Sequence, residues 1–223
     1  METALLTLAI DCALRRIELG LSDGHKTFGE LSCDAGTRQA ELLPMSVSNF
    51  LSLFGYTVKD VGLIAVTQGP GYFTGIRVGI SYAASLAESV GALVVAVPTL
   101  LAMALPLLGM FKSAGVPMTV APLIPAGRDS LYAAVYGYKD DKITASLEPS
   151  HIKTSDFMDV IAAFDADHQP ILTGVTLPVE PASHDYAMIT PPPLMSSGIL
   201  EAARTLAPID PAEIRAVYLR EPG

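Results

Sequence analysis

Apolar and polar positions recur along this chain at spacings that predict most of its elements. Leu5 to Ile10 is a compact apolar run ending at Asp11, the pattern of a buried strand. Ile17, Leu19 and Leu21 alternate with polar or small residues, and Asp23-Gly24 offers a tight turn into a third strand, His25 to Leu31. Leu43, Val47, Phe50, Leu51 and Phe54 form the stripe of a core-facing helix, with Pro44 admissible only in its first turn and Gly55 at its end. Leu63 to Thr67 and Leu93 to Val97 are short runs suited to strands covered on both faces. Between them Gly69-Pro70-Gly71 breaks the chain, Thr74 stands where it can cap a helix, and Gly91 where it can end one. The first half therefore reads β-β-β-α-β-α-β.

A similar order then starts again. Thr99 opens a helix to about Ala114, bent or shortened at Pro106. Val116 to Ile124, Leu131 to Tyr138 and Lys142 to Leu147 predict three strands, the last two joined at Lys139-Asp140-Asp141. Phe157, Val160, Ile161 and Phe164 make a helix stripe behind Thr154 or Ser155; Ile171 to Thr173 is a short strand and Ile199 to Leu206 a helix. Pro178 to Pro193 is proline-rich and predicts a loop. A period of about a hundred residues fits a duplicated α/β domain, not a solenoid. The boundaries expected are 1–104 and 105–223, with the helix near 197–207 a candidate to pack back on the first lobe.

The helix after Gly71 has a particular surface. Gly75, Gly79, Ala83, Ala87 and Gly91 recur every fourth residue, a ridge of minimal side chains that lets another backbone come close. Glycine inside a helix costs about 1 kcal/mol against alanine, so Gly79 needs an offsetting contact. Ile76 and Ile80 line the next row, with Val78, Tyr82 and Leu86 further round. So wide an apolar surface is either buried in its own domain or shared with a partner.

These residues also carry a resemblance. GPGYFTGIRVGISYAASLA resembles GPGSFTGLRIGLSTAKGLA, the signature of the TsaB (YeaZ) family, and the likeness runs from LAID near the start to VYLR near the end. The resemblance implies two RNase H-like lobes of the actin-like ATPase (ASKHA) kind, each β-β-β-α-β-α, the second degenerate. It implies a non-catalytic partner of a TsaD-type ATPase in making N6-threonylcarbamoyladenosine at position 37 of tRNA. The interface expected on that basis is Gly75, Ile76, Gly79, Ile80, Tyr82, Ala83, Leu86 and Ala87. A TsaE-type ATPase is a further partner to be considered, the chain alone is expected to pair as a homodimer, and tRNA is met only indirectly. No cofactor of its own is expected; ATP or ADP at the partner interface stays open. The segment Pro125 to Tyr132 matches the family's DARRxEVY at Arg128 and Tyr132, while Pro125, Gly127 and Ser130 depart from it. Cys12 stands where Thr or Ser is usual, and Arg38 where a histidine is usual.

Composition narrows the alternatives. Half the residues are apolar and 17% charged, which is globular, and a net charge of −9 argues against this chain holding a phosphate backbone by itself. Cys12 and Cys33 make no disulfide framework, which together with the absence of a signal-peptide pattern predicts a reducing cytoplasm. Ser89 to Phe111 carries no charge, yet Pro98, Pro106 and Gly109 interrupt it, so a strand followed by a helix explains it better than a membrane span.

Candidate chemistry is sparse. Asp11 at a strand end is either a turn residue or the first acidic group of a nucleotide cleft. Gly69, Pro70, Gly71, Thr74 and Arg77 could hold an anion at a helix start, or simply form a tight strand-to-helix turn; no Lys-Ser/Thr follows as in a Walker loop. His25, His151, His168 and His184 show no metal-ligand spacing, so no metal is expected. The rival to the partner-subunit reading is an actin-like ATPase or small-molecule kinase working between lobes; an M22-like glycoprotease ranks third.

Overall fold

The structure is a computed structural model of the chain, and it describes residues 5–164, 170–174, 187–190 and 194–219. The chain divides into two compact units, Met1–Ala102 with Leu194–Val217, and Met103–Pro193 with Tyr218–Gly223.

In the first unit, β1 (Thr7–Asp11), β2 (Arg16–Ser22), β3 (Thr27–Asp34), β4 (Leu63–Gly69) and β5 (Leu93–Pro98) form one sheet in the order β3-β2-β1-β4-β5. β1 runs antiparallel to β2 and parallel to β4, and β4 is parallel to β5. The register places Ile10, Leu19 and Val66 side by side, and in the next row Ala9 beside Gly20 and Ala65. Because side chains alternate across a strand, one face of the sheet is bulky and the other nearly bare. The bulky face meets α1 (Gln39–Ser52) and α2 (Phe73–Val90), and Leu43, Val47, Phe50 and Leu51 of α1 join its core as their spacing predicts. Pro44 is six residues into α1, not in its first turn; it and Ala40 are exposed, so solvent can serve the carbonyl that loses its partner.

The bare face receives α5 (Met195–Ala202). A Cβ on Gly20 would stand 3.0 Å from Leu200 Cδ1 and from Ser196 Cβ, so the absence of a side chain sets how close α5 lies. The helix begins four residues earlier than Ile199. Its start is held by Glu18 on β2, whose Oε2 accepts the Met195 N–H at 2.7 Å, while Ser32 Oγ donates to Oε1 at 3.3 Å. A carboxylate facing a helix start satisfies an orphan donor and meets the positive end of the helix dipole. Glu18→Ala should therefore lower stability by about 1.5–3 kcal/mol, the worth of a hydrogen bond to a charged group. Urea unfolding and amide exchange at Met195 read this; an unchanged midpoint with a still-protected Met195 amide would count against the cap.

In the second unit, β6 (Val120–Pro125), β7 (Ser130–Lys139), β8 (Lys142–Lys153), β9 (Ile171–Gly174) and β10 (Met188–Ile189) form a sheet in the order β10-β9-β6-β7-β8. Read from β8 inward, this is again third-second-first-fourth-fifth. The directions repeat as well, with β6 antiparallel to β7 and parallel to β9. The duplication expected from the element order is thus present, in the RNase H-like form that the resemblance implies. α4 (Thr154–Ala162) buries Phe157 and Ile161 against this sheet. β8 runs on to Lys153, past Leu147 where the expected strand ends. Pro149 falls where the pairing with β7 slips, between Leu147 opposite Val135 and Ser150 opposite Ala133, and on an edge strand such a bulge tolerates it. α3 (Thr99–Ser113) continues from β5, so the uncharged stretch from Ser89 contains a strand and a helix; no described helix is long and apolar enough to cross a membrane. The loop expected over Pro178 to Pro193 lies outside the described residues, apart from 187–190.

Candidate functional site

Three features of the first unit bear on function: the buried end of β1, the turn after β4, and the outward side of α2. Asp11 ends β1 at 1% exposure. Its Oδ1 accepts from Thr67 Oγ1 at 2.5 Å and from the Ala13 N–H at 3.0 Å, while Oδ2 is buried with no hydrogen-bond partner among the described residues. Burial pushes its carboxyl up to about 7 against the lowering effect of those two donors, and the Glu18 charge adds to the rise. Cys12, next along, is also pushed up, chiefly by burial and then by Asp11, so it is a thiol and a poor nucleophile.

The turn after β4 is closed upon its own unit. Gly69 has φ +111°, a conformation that favours glycine, and a side chain there would strike the Val217 carbonyl. The Gly69 N–H donates to Thr99 Oγ1 at 3.1 Å and the Tyr72 N–H to the Ala13 carbonyl at 2.7 Å; the Val217 N–H donates to the Gln68 carbonyl at 2.7 Å. The Gly69 and Tyr72 N–H groups are engaged within the unit and Pro70 has no N–H to offer, which favours the tight-turn alternative at Gly69 and Pro70 over a phosphate cradle. Thr74 is not the cap of α2. Tyr72 precedes the helix, Thr74 is exposed in its first turn, and the Arg77 guanidinium lies 3.8 Å above the centre of the Phe73 ring. Gly91 does end the helix in the left-handed conformation, φ +72°.

The small-residue ridge requires a correction. Gly75, Ile76, Gly79, Ala83 and Ala87 are buried against their own sheet and are not surface. A Cβ on Gly75 would strike the Cys12 carbonyl, and one on Gly79 would touch Cys12 Cβ at 3.5 Å and Val66 Cγ2 at 3.6 Å. The close approach that the ridge permits is to β1 and β4, and this contact offsets the cost of Gly79. Of the interface residues expected, Ile80, Tyr82 and Leu86 keep partial exposure. Beside them a groove of about 420 Å³ runs between α1 and α2, lined by Leu43, Pro44, Phe73, Arg77, Val78 and Tyr82.

Gln39 escapes sequence reasoning altogether. Its Nε2 donates to the carbonyls of Cys12 at 2.7 Å and Arg16 at 2.8 Å, tying the β1–β2 turn to the start of α1 at 2% exposure. Its neighbour Arg38, by contrast, is exposed and paired with Glu41 at 2.7 Å. In the second unit, Gly127 has φ +140°, which favours glycine there, and Ser130 opens β7. His25 and His151 lie in different units; His168 and His184 are outside the described residues.

Two repeated sheets of order third-second-first-fourth-fifth define an actin-like, RNase H-related α/β protein. Solved structures agree on the fold: a Pseudomonas aeruginosa protein described as similar to peptidase YeaZ covers 97% of this chain and 100% of its own, with TM-score 0.76 at 22% identity. A second, described as YeaZ from Pseudomonas aeruginosa, gives TM-score 0.73 over 96% of this chain and all of its own, at 22% identity. The family model described as TsaD, tRNA N6-adenosine threonylcarbamoyltransferase, matches residues 34–188, more than half the chain. The chain belongs to that family, on the side of its TsaB/YeaZ members. Curated relatives include the tRNA threonylcarbamoyladenosine biosynthesis protein TsaB of Escherichia coli K12, 32% identical over 44% of this chain and 42% of that protein. TsaB of Bacillus subtilis 168 is 25% identical over 51% of this chain and 46% of its own. The matches thus span less than half the length of these relatives.

Proposed function

We propose that this chain is a partner subunit in the synthesis of threonylcarbamoyladenosine in tRNA, acting by docking on a TsaD-type protein and making no bonds itself. The observation that supports docking is the α1–α2 groove, where Val78 and Tyr82 are left half-buried beside the exposed Arg77 and Ser81, on a helix whose inner side is already packed. Half-covered apolar side chains one turn apart, rimmed by Arg77 and Ser81, are the composition of an interface core with a polar rim. Family membership supports the pathway, and the internally engaged turn after β4 supports a role without a nucleotide of its own. Any ATP or ADP would then belong to the shared surface. The same groove would join two copies about a two-fold axis when the partner is absent, and a TsaE-type ATPase would meet the assembled pair.

Ser81 is exposed beside the groove, so Ser81→Arg places a long charged side chain in the docking path with little effect on the fold. Calorimetric titration with a TsaD-type protein from the same organism should show binding by the parent and at least tenfold weaker binding by the variant, with unchanged Tm. Equal affinities would remove the groove from the interface, and no binding by the parent would remove the reading itself.

A further inference from the structure

A cavity of about 610 Å³ lies in the second unit, between the β6–β7 turn, the end of β8 and the start of α4. Arg128, His151 and Lys153 line it with Asp129, Ser130 and Thr154. The register of β7 and β8 explains their convergence. Ser130 pairs with Lys153 and Tyr132 with His151, while Leu131 and Ile152 point to the opposite face and pack in the core. The Tyr132 and His151 rings lie 5.5 Å apart at 49° beside the cavity.

α4 begins at the same place. Lys153 precedes it and gives its first turn no side-chain cap; the Thr154 N–H is taken by the Asp129 carbonyl at 2.9 Å. The Thr154 hydroxyl oxygen is buried with no hydrogen-bond partner among the described residues. In a chain of net charge −9, Arg128, Lys153 and His151 gather at a cavity whose wall carries the Asp129 carboxylate, with Asp156 in the first turn of α4 accepting from Ser155 Oγ beside it.

We propose that this cavity binds a phosphate group, gripped by Arg128 and Lys153 and oriented by the uncapped start of α4. A guanidinium matches two phosphate oxygens at once, and an ammonium adds charge without direction. A free phosphate and an RNA strand present the same group, and the exposed His151 ring beside the half-buried Tyr132 gives an RNA base a stacking surface that free phosphate does not use. With the rest of the chain acidic, this is a local hold on the ligand and not its main anchor.

The test uses the whole chain and two probes, inorganic phosphate by calorimetry and a tRNA transcript by fluorescence anisotropy between 50 and 200 mM salt. The choice of tRNA rests on the function proposed above. In Arg128→Ala/Lys153→Ala, both positions exposed, affinity for the transcript should fall at least tenfold. The slope of log affinity against log salt should become shallower by about 0.8, as for one phosphate no longer neutralised. Millimolar phosphate displacing the transcript from the parent supports an RNA ligand; phosphate binding alone, lost in the variant, supports a free anion. Equal affinity and slope in parent and variant, or neither probe binding the parent, overturns the site. The Ser81→Arg titration reads pairing without RNA, so the two proposals fail separately.

Discussion

Ala83→Glu should unfold the first unit. Ala83 is fully buried between α2 and the bulky face of the sheet, so a carboxylate there has neither solvent nor a cation to meet it. An uncompensated buried charge costs about 3–5 kcal/mol, a large part of the roughly 5–15 kcal/mol that holds a domain together. Urea unfolding should show a midpoint shifted far down or no folded baseline, whereas Ser81→Arg, two residues away, should match the parent. Loss of partner binding in Ala83→Glu would thus report loss of fold and say nothing of docking. A variant with the parent's midpoint would mean that α2 is not seated on this sheet as described.

Asp11→Asn should be more stable than the parent at neutral pH, by an amount that grows with pH. Burial holds the folded carboxyl at about 7, against 3.8 ordinarily. Between pH 4 and 7 the unfolded chain has already released the proton that the folded chain retains. Proton binding therefore favours the folded state at the acid end, and stability falls as pH rises through this window, levelling above it. At 1.36 kcal/mol per pH unit the span is about 4 kcal/mol. Asparagine preserves the neutral form and removes the slope. Unfolding free energies of parent and variant at pH 4.5, 6 and 8 should diverge steadily; parallel profiles would show that the buried Oδ2 carries no such cost.

The periodicities that were easiest to read are those where one physical demand sets the spacing. Leu43, Val47, Phe50 and Leu51 had to fall on one helix face, and the paired β-β-β-α orders had to fold alike. What the spacing could not say is which way a ridge of small residues faces. Gly75, Gly79 and Ala83 look the same whether they admit a partner helix or their own strands, and only the Cys12 carbonyl and Val66 beside them decide it. The helix expected from Ile199 starts four residues earlier, because Gly20 leaves room for Ser196 and lets α5 run through the two serines. The expected strand stops at Leu147 and so misses the second half of β8, and with it the register that sets His151 and Lys153 beside Tyr132 and Ser130. Arg128 was visible as a motif residue, but its neighbours across the sheet were not. Gln39 left no sequence signal, since one amide bonding two distant carbonyls follows no period.

The hydrogen bond from Met195 to Glu18 joins residues 177 positions apart, and the chain between them includes the whole second sheet. A ribosome delivers β1 and β2 long before it delivers the helix that shelters them. Throughout that interval the strip containing Ala9 and Gly20 faces water, and the nascent first unit is a half-finished product. Truncation ahead of residue 194 would freeze it in that condition, so α5 acts as the closing piece of a sheet begun by β1 and β2.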